Sequence, residues 1–507
     1  MFSGEIIQQL LQGCLQGLSV ATEPSNLLYC FIGCVLGTMV GVLPGLGPVA
    51  SIALLMPITY KIPAVSAIVM FAGIYYGAQY GGTITSILMN IPGEATTVVT
   101  CIDGYKMTLQ GRSGPALGIA AFGSFIGGSF AIIGLMLLAP PLAQLALKFG
   151  PPEYFSLILS SLTLISFLGT GSPIKALIAG VFGMAVGTVG MDIETGIPRF
   201  TYGINTIYSG IDIVPVIMGM FGLTEVIINL EEGVTTQLVK AKIRGLLPNR
   251  QDWRDSAGPI SRGTIMGFFL GLIPGGGALI ATFAAYAVEK KLSKHPEKFG
   301  HGAIEGVAGP ETANNTGCVG AFVPMLSLGL PYNAVTAILL GALMIHGVEP
   351  GPLLITRHPD IFWGVTMSLY LGNIMLLILN LPLIPLWVQI LKIPYLFLGP
   401  IILLICVIGV YSCNYNVVDI YLMLIFAGVG YAMRKSRYEP APFILGMILS
   451  PMIENAFRQS LILSDGSFYI FLERPISAIF VIAAFVVIVT FIIPAMKKKK
   501  GVINRMT

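Results

Sequence analysis

Gly41-Val42-Leu43-Pro44-Gly45-Leu46-Gly47-Pro48 returns 230 residues later as Gly271-Leu272-Ile273-Pro274-Gly275-Gly276-Gly277, each copy set in apolar sequence. Proline removes a backbone donor and glycine frees the dihedrals, so each copy predicts one helix that stops and another that starts. The duplication runs on. Ile91-Pro92-Gly93-Glu94-Ala95-Thr96 lines up with Leu330-Pro331-Tyr332-Asn333-Ala334-Val335, an offset larger by nine residues that a Lys/His-rich insertion around 291–302 takes up. Farther on, Ser113-Gly114-Pro115 echoes Pro350-Gly351-Pro352. Each half therefore reads as a hairpin, a loop, a broken helix and then ordinary spans.

Composition fixes the solvent. Of 507 residues, 55% are hydrophobic and only 10% charged, against roughly 25% charged in soluble domains. Apolar runs fit for a bilayer recur at 26–43, 116–140, 155–180, 363–391, 398–411, 417–433, 440–457 and 475–496. The expected fold is an all-α integral membrane protein with roughly ten to twelve transmembrane segments in two repeats. The N-terminal repeat covers 1–230, a polar linker loop 231–262, and the C-terminal repeat with its basic tail 263–507. No stretch is polar and long enough for a soluble domain, which excludes an attached ATPase. The N-terminus lacks the basic region and cleavage site of a secretory signal, so it is expected to be retained. Its apolar residues fall on one face opposite Gln8, Gln9, Gln12 and Gln16, an amphipathic helix in the interface or a polar-faced span packed in the protein.

Short cytoplasmic loops accumulate Lys and Arg. Lys240, Lys242, Arg244, Arg250, Arg254 and Arg262 mark the central loop as cytoplasmic, and Lys497 to Lys500 put the C-terminus inside. Lys290, Lys291, Lys294 and Lys298 carry the same mark, yet too few residues separate Arg262 from Glu289 for two crossings at about 20 residues each. Residues 263–288 therefore either span once, with the charge rule violated on one side, or enter and return as a re-entrant hairpin with its tip at Pro274 to Gly277, the reading that four breakers in a row favour. Inverted repeats are the arrangement expected for discontinuous helices, although Lys61 is a lone marker after the first hairpin.

Non-helical backbone in hydrocarbon leaves amides and carbonyls unpaired at several kcal/mol each, so it persists only when buried in protein or lining a wet cavity. A half-helix that starts there offers N–H groups to a carboxylate, and one that ends there offers carbonyls to Na⁺. Duplicated breaks thus point to secondary transport of an organic carboxylate anion, with Na⁺ as a candidate bound ion and no other cofactor. The polar side chains nearby fit. Glu311, Thr312, Asn314, Asn315 and Thr316 precede the second broken segment, and Tyr75, Tyr76, Gln79, Tyr80, Thr83, Thr85, Ser86 and Asn90 precede the first. Such residues also glue membrane helices together. Glu311 is the candidate coupling carboxylate, with a helix cap as its other reading.

Gly41 to Pro48, Tyr75-Tyr76-Gly77-Ala78-Gln79-Tyr80-Gly81-Gly82-Thr83, Ile91-Pro92-Gly93, Cys101-Ile102-Asp103-Gly104-Tyr105, Arg199-Phe200-Thr201-Tyr202-Gly203, Gly271 to Gly277 and Pro310-Glu311-Thr312-Ala313-Asn314-Asn315 resemble the large membrane subunit of bacterial tripartite tricarboxylate transporters, from about residue 20 to about 490. The resemblance implies a carrier of citrate-like or other carboxylates in the inner membrane, driven by a Na⁺ or H⁺ gradient. It also implies two partners, a small membrane subunit and a periplasmic solute-binding protein. Carried over by position, the motifs place Pro44, Gly45, Gly47, Pro274, Gly275, Gly276 and Gly277 at the substrate and ion site, with Asn90, Pro92, Gly93, Asn314, Asn315 and Pro331 beside them. The family pattern has Pro-Gly at the second broken helix, where this chain has Pro331-Tyr332, a ring expected to change the pocket. Arg199 is expected to pair with Asp192 or Glu194, or to lie at the interface.

Other signals carry less. The seven cysteines form no CxxC, the four histidines show no metal-ligand spacing, and Gly169 to Lys175 lacks the ending of a phosphate loop. Gly111-Arg112-Ser113-Gly114 matches an intramembrane-protease serine motif but has no histidine on a clear partner helix, and the chain is not expected to be an enzyme. The terminal lysines read as a membrane-flanking tail, and no nucleic-acid partner is expected. All irregular backbone clusters in 37–115 and 263–352, which suggests a mobile block moving elevator-like against a scaffold. Rocking is the mechanistic rival, and an anion channel or facilitator the functional one.

Overall fold

The computed structural model describes residues 4–43, 47–168, 172–192, 195–232, 245–275, 277–390 and 395–503. Helix follows helix. The first half holds α1 (Gly4–Ala21), α2 (Pro24–Val42), α3 (Pro48–Thr59), α4 (Ala64–Met89), α5 (Val98–Leu109), α6 (Ser113–Ala146), α7 (Pro151–Leu168), α8 (Pro173–Gly187), α9 (Ile213–Ile217) and α10 (Thr224–Glu232), the last two joined by a π-helical turn over Met218–Leu223. The second half holds α11 (Arg250–Gly271), α12 (Gly277–Leu292), α13 (Glu305–Gly320), α14 (Phe322–Leu328), α15 (Ala334–Ile345), the short α16 (Leu354–Arg357), α17 (Pro359–Asn380), α18 (Ile384–Ile390), α19 (Tyr395–Asn414), α20 (Val417–Lys435), α21 (Pro440–Leu463), the short α22 (Ile470–Glu473) and α23 (Pro475–Ile503). Among the described residues the only strands are the two-residue β1 (Gly190–Met191) and β2 (Pro198–Arg199), paired antiparallel. Prolines open α2, α3, α17 and α21, where their missing N–H would be unpaired anyway. Among the described residues, five helices are each long and apolar enough to span a bilayer. The protein is an all-α membrane protein.

The repeat is written in glycine. Gly33, Gly37 and Gly41 of α2 lie so close to the carbonyl oxygens of Met70, Ile74 and Ala78 on α4 that a Cβ would collide with them. Gly263, Gly267 and Gly271 of α11 meet the carbonyls of Gly309, Ala313 and Gly317 on α13 in the same way. The first set is displaced by 230 residues and its partners by 239, the two offsets of the sequence repeat. In both halves the first hairpin arm therefore runs parallel to the broken helix, so the second arm returns. Gly41 lies level with Ala78 while α4 runs on to Met89. At ~1.5 Å per residue Gly41 lies about 16 Å before the end of α4, and the chain after the break folds back to it at Gly93. The Arg262–Glu289 ion pair, 2.5 Å, clasps the two arms of the second hairpin. Both of its ends thus lie on one face, as the charges require.

The repeats are inverted. Thr83 of α4 bonds Glu311 of α13, while Tyr75, two turns back along α4, stacks on Phe322, three turns ahead of Glu311. The two broken helices therefore run antiparallel, each beside the other's long helix. Gly123 and Gly127 of α6 pack on Thr312 and Thr316 of α13, and α17 crosses α4 through Tyr80–Asn373.

Two expectations change in detail. The polar segment foreseen as a loop over 231–262 becomes helix from Arg250, because Asn249 and Asp252 form a capping box and Trp253 packs on Phe122. The run 155–180 divides into α7 and α8, the latter opened by Pro173. Helix α1 packs on α17 through Gly13 and Gly17, which meet Trp363, leaving Leu11, Leu15 and Leu18 exposed. One side of it is thus packed in the protein, and an apolar strip is left on another.

Replacing Gly267 with leucine drives a side chain into the α13 backbone. Overpacking of this kind costs on the order of 1–3 kcal/mol. The purified variant is expected to melt several degrees below wild type, whereas leucine at Gly428, which has open space around it, leaves the melting temperature unchanged.

Candidate functional site

Each broken helix stops on a residue with left-handed backbone, Asn90 at φ 59° and Gly329 at φ 70°, positions that the repeat superposes. Four residues on, each restarts with a capping box. Glu94 caps with Thr97, and Asn333 caps with Thr336, again equivalent residues. The second hairpin tip joins its own break, where the Gly275 N–H donates to the Tyr332 carbonyl at 2.9 Å. In the first half Gly93 is pressed against Gly41 and Gly82, with no room for a Cβ. Hairpin tip and helix break therefore meet in both repeats.

Between these breaks lies a buried polar layer. Glu311 sits inside α13, which removes the helix-cap reading, and its carboxylate accepts from Thr83 at 2.6 Å and from Thr100. Asn315 donates to Ser124 of α6 at 2.6 Å. Asn333 donates to the Tyr75 hydroxyl at 3.0 Å, a bond between the repeats. Glu94 accepts from Gln79 at 3.1 Å, and Thr96 donates to the same Gln79 at 2.9 Å. Several buried atoms keep unused capacity, namely Glu94 Oε1, both polar side-chain atoms of Asn314, Asn315 Oδ1 and the Tyr76 hydroxyl. Among the described residues no Lys or Arg forms an ion pair with Glu94 or Glu311.

Of the residues expected at the site, Pro44, Gly45 and Gly276 lie outside the described residues. Gly47 caps α3 with nothing within 4 Å of a Cβ added there. Pro274 and Gly275 are buried in the second tip, and Gly277 is wedged against the Leu270 carbonyl. Asn90 and Pro92 are exposed, while Asn314, Asn315, Glu311 and Pro331 are buried. The Tyr332 ring does not fill the space beside the tip. It packs on an apolar cluster that includes Ile158 of α7 and Leu449 of α21. Glu94, Thr100 and Ser124 were not singled out from sequence, though the repeat alignment already set Glu94 opposite Asn333.

Away from the breaks, Asp192, Arg199, Glu454 and Arg458 line a cavity of about 410 Å³ beneath the 188–212 loop. Arg199 pairs with Glu454 at 2.6 Å and with Asp192 at 3.3 Å. Its pKa is raised, chiefly by the Glu454 hydrogen bond. Asp192 is one of the two flanking acids foreseen, and Glu194 lies outside the described residues. Ser113 opens α6 with no histidine bonded to it among the described residues.

The pattern of the tripartite tricarboxylate transporter TctA family matches residues 27–445. The chain belongs to that family. It is 45% identical over 494 residues to an uncharacterized 52.8 kDa protein in the TAR-I ttuC' 3' region of Agrobacterium vitis, covering 97% of this chain and 98% of the relative. It is also 45% identical over 234 residues to an uncharacterized protein in the TAR-II ttuC' 3' region of the same organism, covering 46% of this chain and 97% of that relative. No solved structure matches. Membership in the TctA family makes the chain a subunit of a tripartite tricarboxylate transporter, in keeping with a chain that is not an enzyme.

Asp103, the acid of a motif that carried the resemblance, latches the repeats outside this layer. One of its oxygens accepts the N–H groups of Gly300, Gly302 and Ala303 at 2.7–2.9 Å, and the other accepts from Tyr286 at 2.9 Å. Charge-assisted bonds of this kind contribute about 1.5–3 kcal/mol each, net of the water they replace. Asp103→Asn is expected to lower the melting temperature and expose the 299–303 segment to protease. An unchanged cleavage pattern would show the latch to be dispensable.

Proposed function

We propose that the chain is the translocating subunit for an organic carboxylate, a tricarboxylate such as citrate or a dicarboxylate. It works in the bacterial inner membrane with its C-terminus cytoplasmic, beside a small membrane subunit, and is fed by a periplasmic solute-binding protein. Uptake is coupled to a Na⁺ or H⁺ gradient. The observation that carries this reading is the meeting of two antiparallel broken helices whose restarting halves begin at Glu94 and Asn333 in a layer with no basic partner. Free N–H groups and helix dipoles then do the work that arginine does elsewhere for an anion. A site without fixed cations also binds reversibly, which a carrier needs. Supporting the inner-membrane orientation, the Lys/Arg clusters near Arg112, Arg262, Lys290 and Arg434 fall on one side of the alternating helices.

The motion we propose is elevator-like. The equivalent breaks differ in cover. Asn90 and Pro92 are exposed, whereas Leu330 and Pro331 are buried beside α7 and α21. Movement of the hairpins and broken helices as one block would exchange these environments. Single cysteines at 47 and 275 that report no change of depth between substrate-loaded and empty states would defeat it.

The deciding measurement is uptake of labelled di- and tricarboxylates into vesicles holding this chain, its small subunit and its binding protein. The expected result is accumulation that needs both the binding protein and an imposed Na⁺ or H⁺ gradient. Uptake indifferent to both would make the chain a channel or facilitator. In the same assay Gly47→Ala, which meets nothing in the fold, is expected to lower uptake several-fold with no loss of melting temperature.

A further inference from the structure

The twofold that relates the repeats is broken at one pair of residues in a way that separates two ligand chemistries. Both restarting half-helices, at residues 95 and 334, carry a capping side chain and a threonine three residues later. At the second break the cap is neutral Asn333, whose amide is used up on the Tyr75 hydroxyl and the Thr336 N–H. At the first break the cap is Glu94, and the residue equivalent to Tyr75 is Asn314. The bond between the repeats is not made there, for Glu94 Oε1 is buried with no hydrogen bond and so are both polar atoms of the fully buried Asn314 side chain. The neighbours give Glu94 no counter-charge. Its own half-helix contributes Thr97, α4 contributes Gln79 and Tyr75, and α13 contributes Cys318, with Glu311 one turn beyond Asn314 and already bonded to two hydroxyls.

We infer that Glu94, with the Asn314 amide opposite, is the binding site of the coupling cation, taken as Na⁺ or as a proton. An oxygen anion and an amide carbonyl without donors suit a hard monovalent cation, and a carboxylate in this setting equally suits H⁺. An anion held at one helix N-terminus repels a substrate carboxylate from it, so the substrate takes the uncharged Asn333 end. Charge that enters at Glu94 removes this repulsion, which couples the two ligands without direct contact. Glu311, whose oxygens are both engaged, ties α13 to α4 and α5 and is a positioning residue.

This inference rests on the proposed carboxylate transport, so the test begins from the wild-type three-component vesicles. If these accumulate no carboxylate under either gradient, the transport reading itself fails. Given wild-type accumulation, Na⁺ is varied at fixed pH and pH is varied without Na⁺, which separates the two cations. Glu94→Gln is expected to lower gradient-driven accumulation at least tenfold and to leave residual uptake unresponsive to either gradient. Asn314→Ala is expected to keep the response but raise the half-saturating cation concentration several-fold. A folded, monodisperse Glu94→Gln protein with the wild-type cation response overturns the inference. If that variant does not fold, an unchanged half-saturation in Asn314→Ala overturns it instead.

Discussion

A peptide group that leaves its helix at membrane depth must find another partner, and the rest of this molecule is arranged around that requirement. Each unsatisfied amide or carbonyl costs several kcal/mol in hydrocarbon. Here the debt is met locally. The Gly275 N–H reaches the Tyr332 carbonyl, the restarting half-helices are closed by Glu94 with Thr97 and Asn333 with Thr336, and the ends that stop do so on the left-handed residues Asn90 and Gly329. These contacts need each hairpin held tight against its broken helix. The two rows of three glycines, spaced four apart, do that by letting backbone meet backbone.

Inversion then follows from what each hairpin cannot cover. One flank of α2 is taken by α4 and another by α17 of the other repeat, where Cys30 and Cys34 point at the Ser368 and Gly372 carbonyls. The same arrangement recurs with α11, α13 and α6. Farther out, Gly183 of α8 lies on the Phe443 carbonyl of α21, and Gly219 of the π-helical turn lies on the Met423 carbonyl of α20. In both outer pairs a helix of one repeat is completed by a helix of the other. The two glycine rows close within their own halves, but these outer seams need a helix from each, so the repeats fold as one interlocked body.

The breaks were legible because proline and glycine act through local backbone chemistry that needs no partner to be read. The hairpin was legible because Arg262 and Glu289 leave too little chain between them for two spans. The glycine rows were written in the sequence too, but in a protein with 61 glycines a spacing of four stands out only once α4 and α13 are known to lie against it. The start of α11 was hidden by polarity, since Arg250, Asp252 and Arg254 read as loop until the Asn249 cap and the Phe122 ring are in place. Pro44, Gly45 and Gly276 lie outside the described residues. Glu94 is hard to read in the sequence, because Glu311 is the acid embedded in amides. Burial settles the difference between the two, because hydroxyl donors occupy both oxygens of one and leave an oxygen of the other free.

A duplicated fold that is to bind two unlike ligands has to depart from its own symmetry, and three of the departures here bear on the breaks. Glu94 stands where its twin is Asn333, and Asn314 stands where its twin is Tyr75. Tyr332 stands where its twin is Gly93, and the two have opposite consequences. Gly93 lets its loop press onto Gly41 and Gly82 of its own repeat, whereas the Tyr332 side chain packs on the apolar cluster of Ile158 and Leu449. One break is thereby fastened to α7 and α21 through a ring, and the equivalent residue of the other has no side chain to do so. On the transport reading, the ring fastens the substrate end of the site to the scaffold, and releasing it is part of the work of moving the site. A glycine at 332 would remove that hold and leave the Gly275 hydrogen bond intact, since the bond uses the backbone alone. On the proposed motion, the residue that departs from the family pattern bears on how readily the site moves as well as on what it binds.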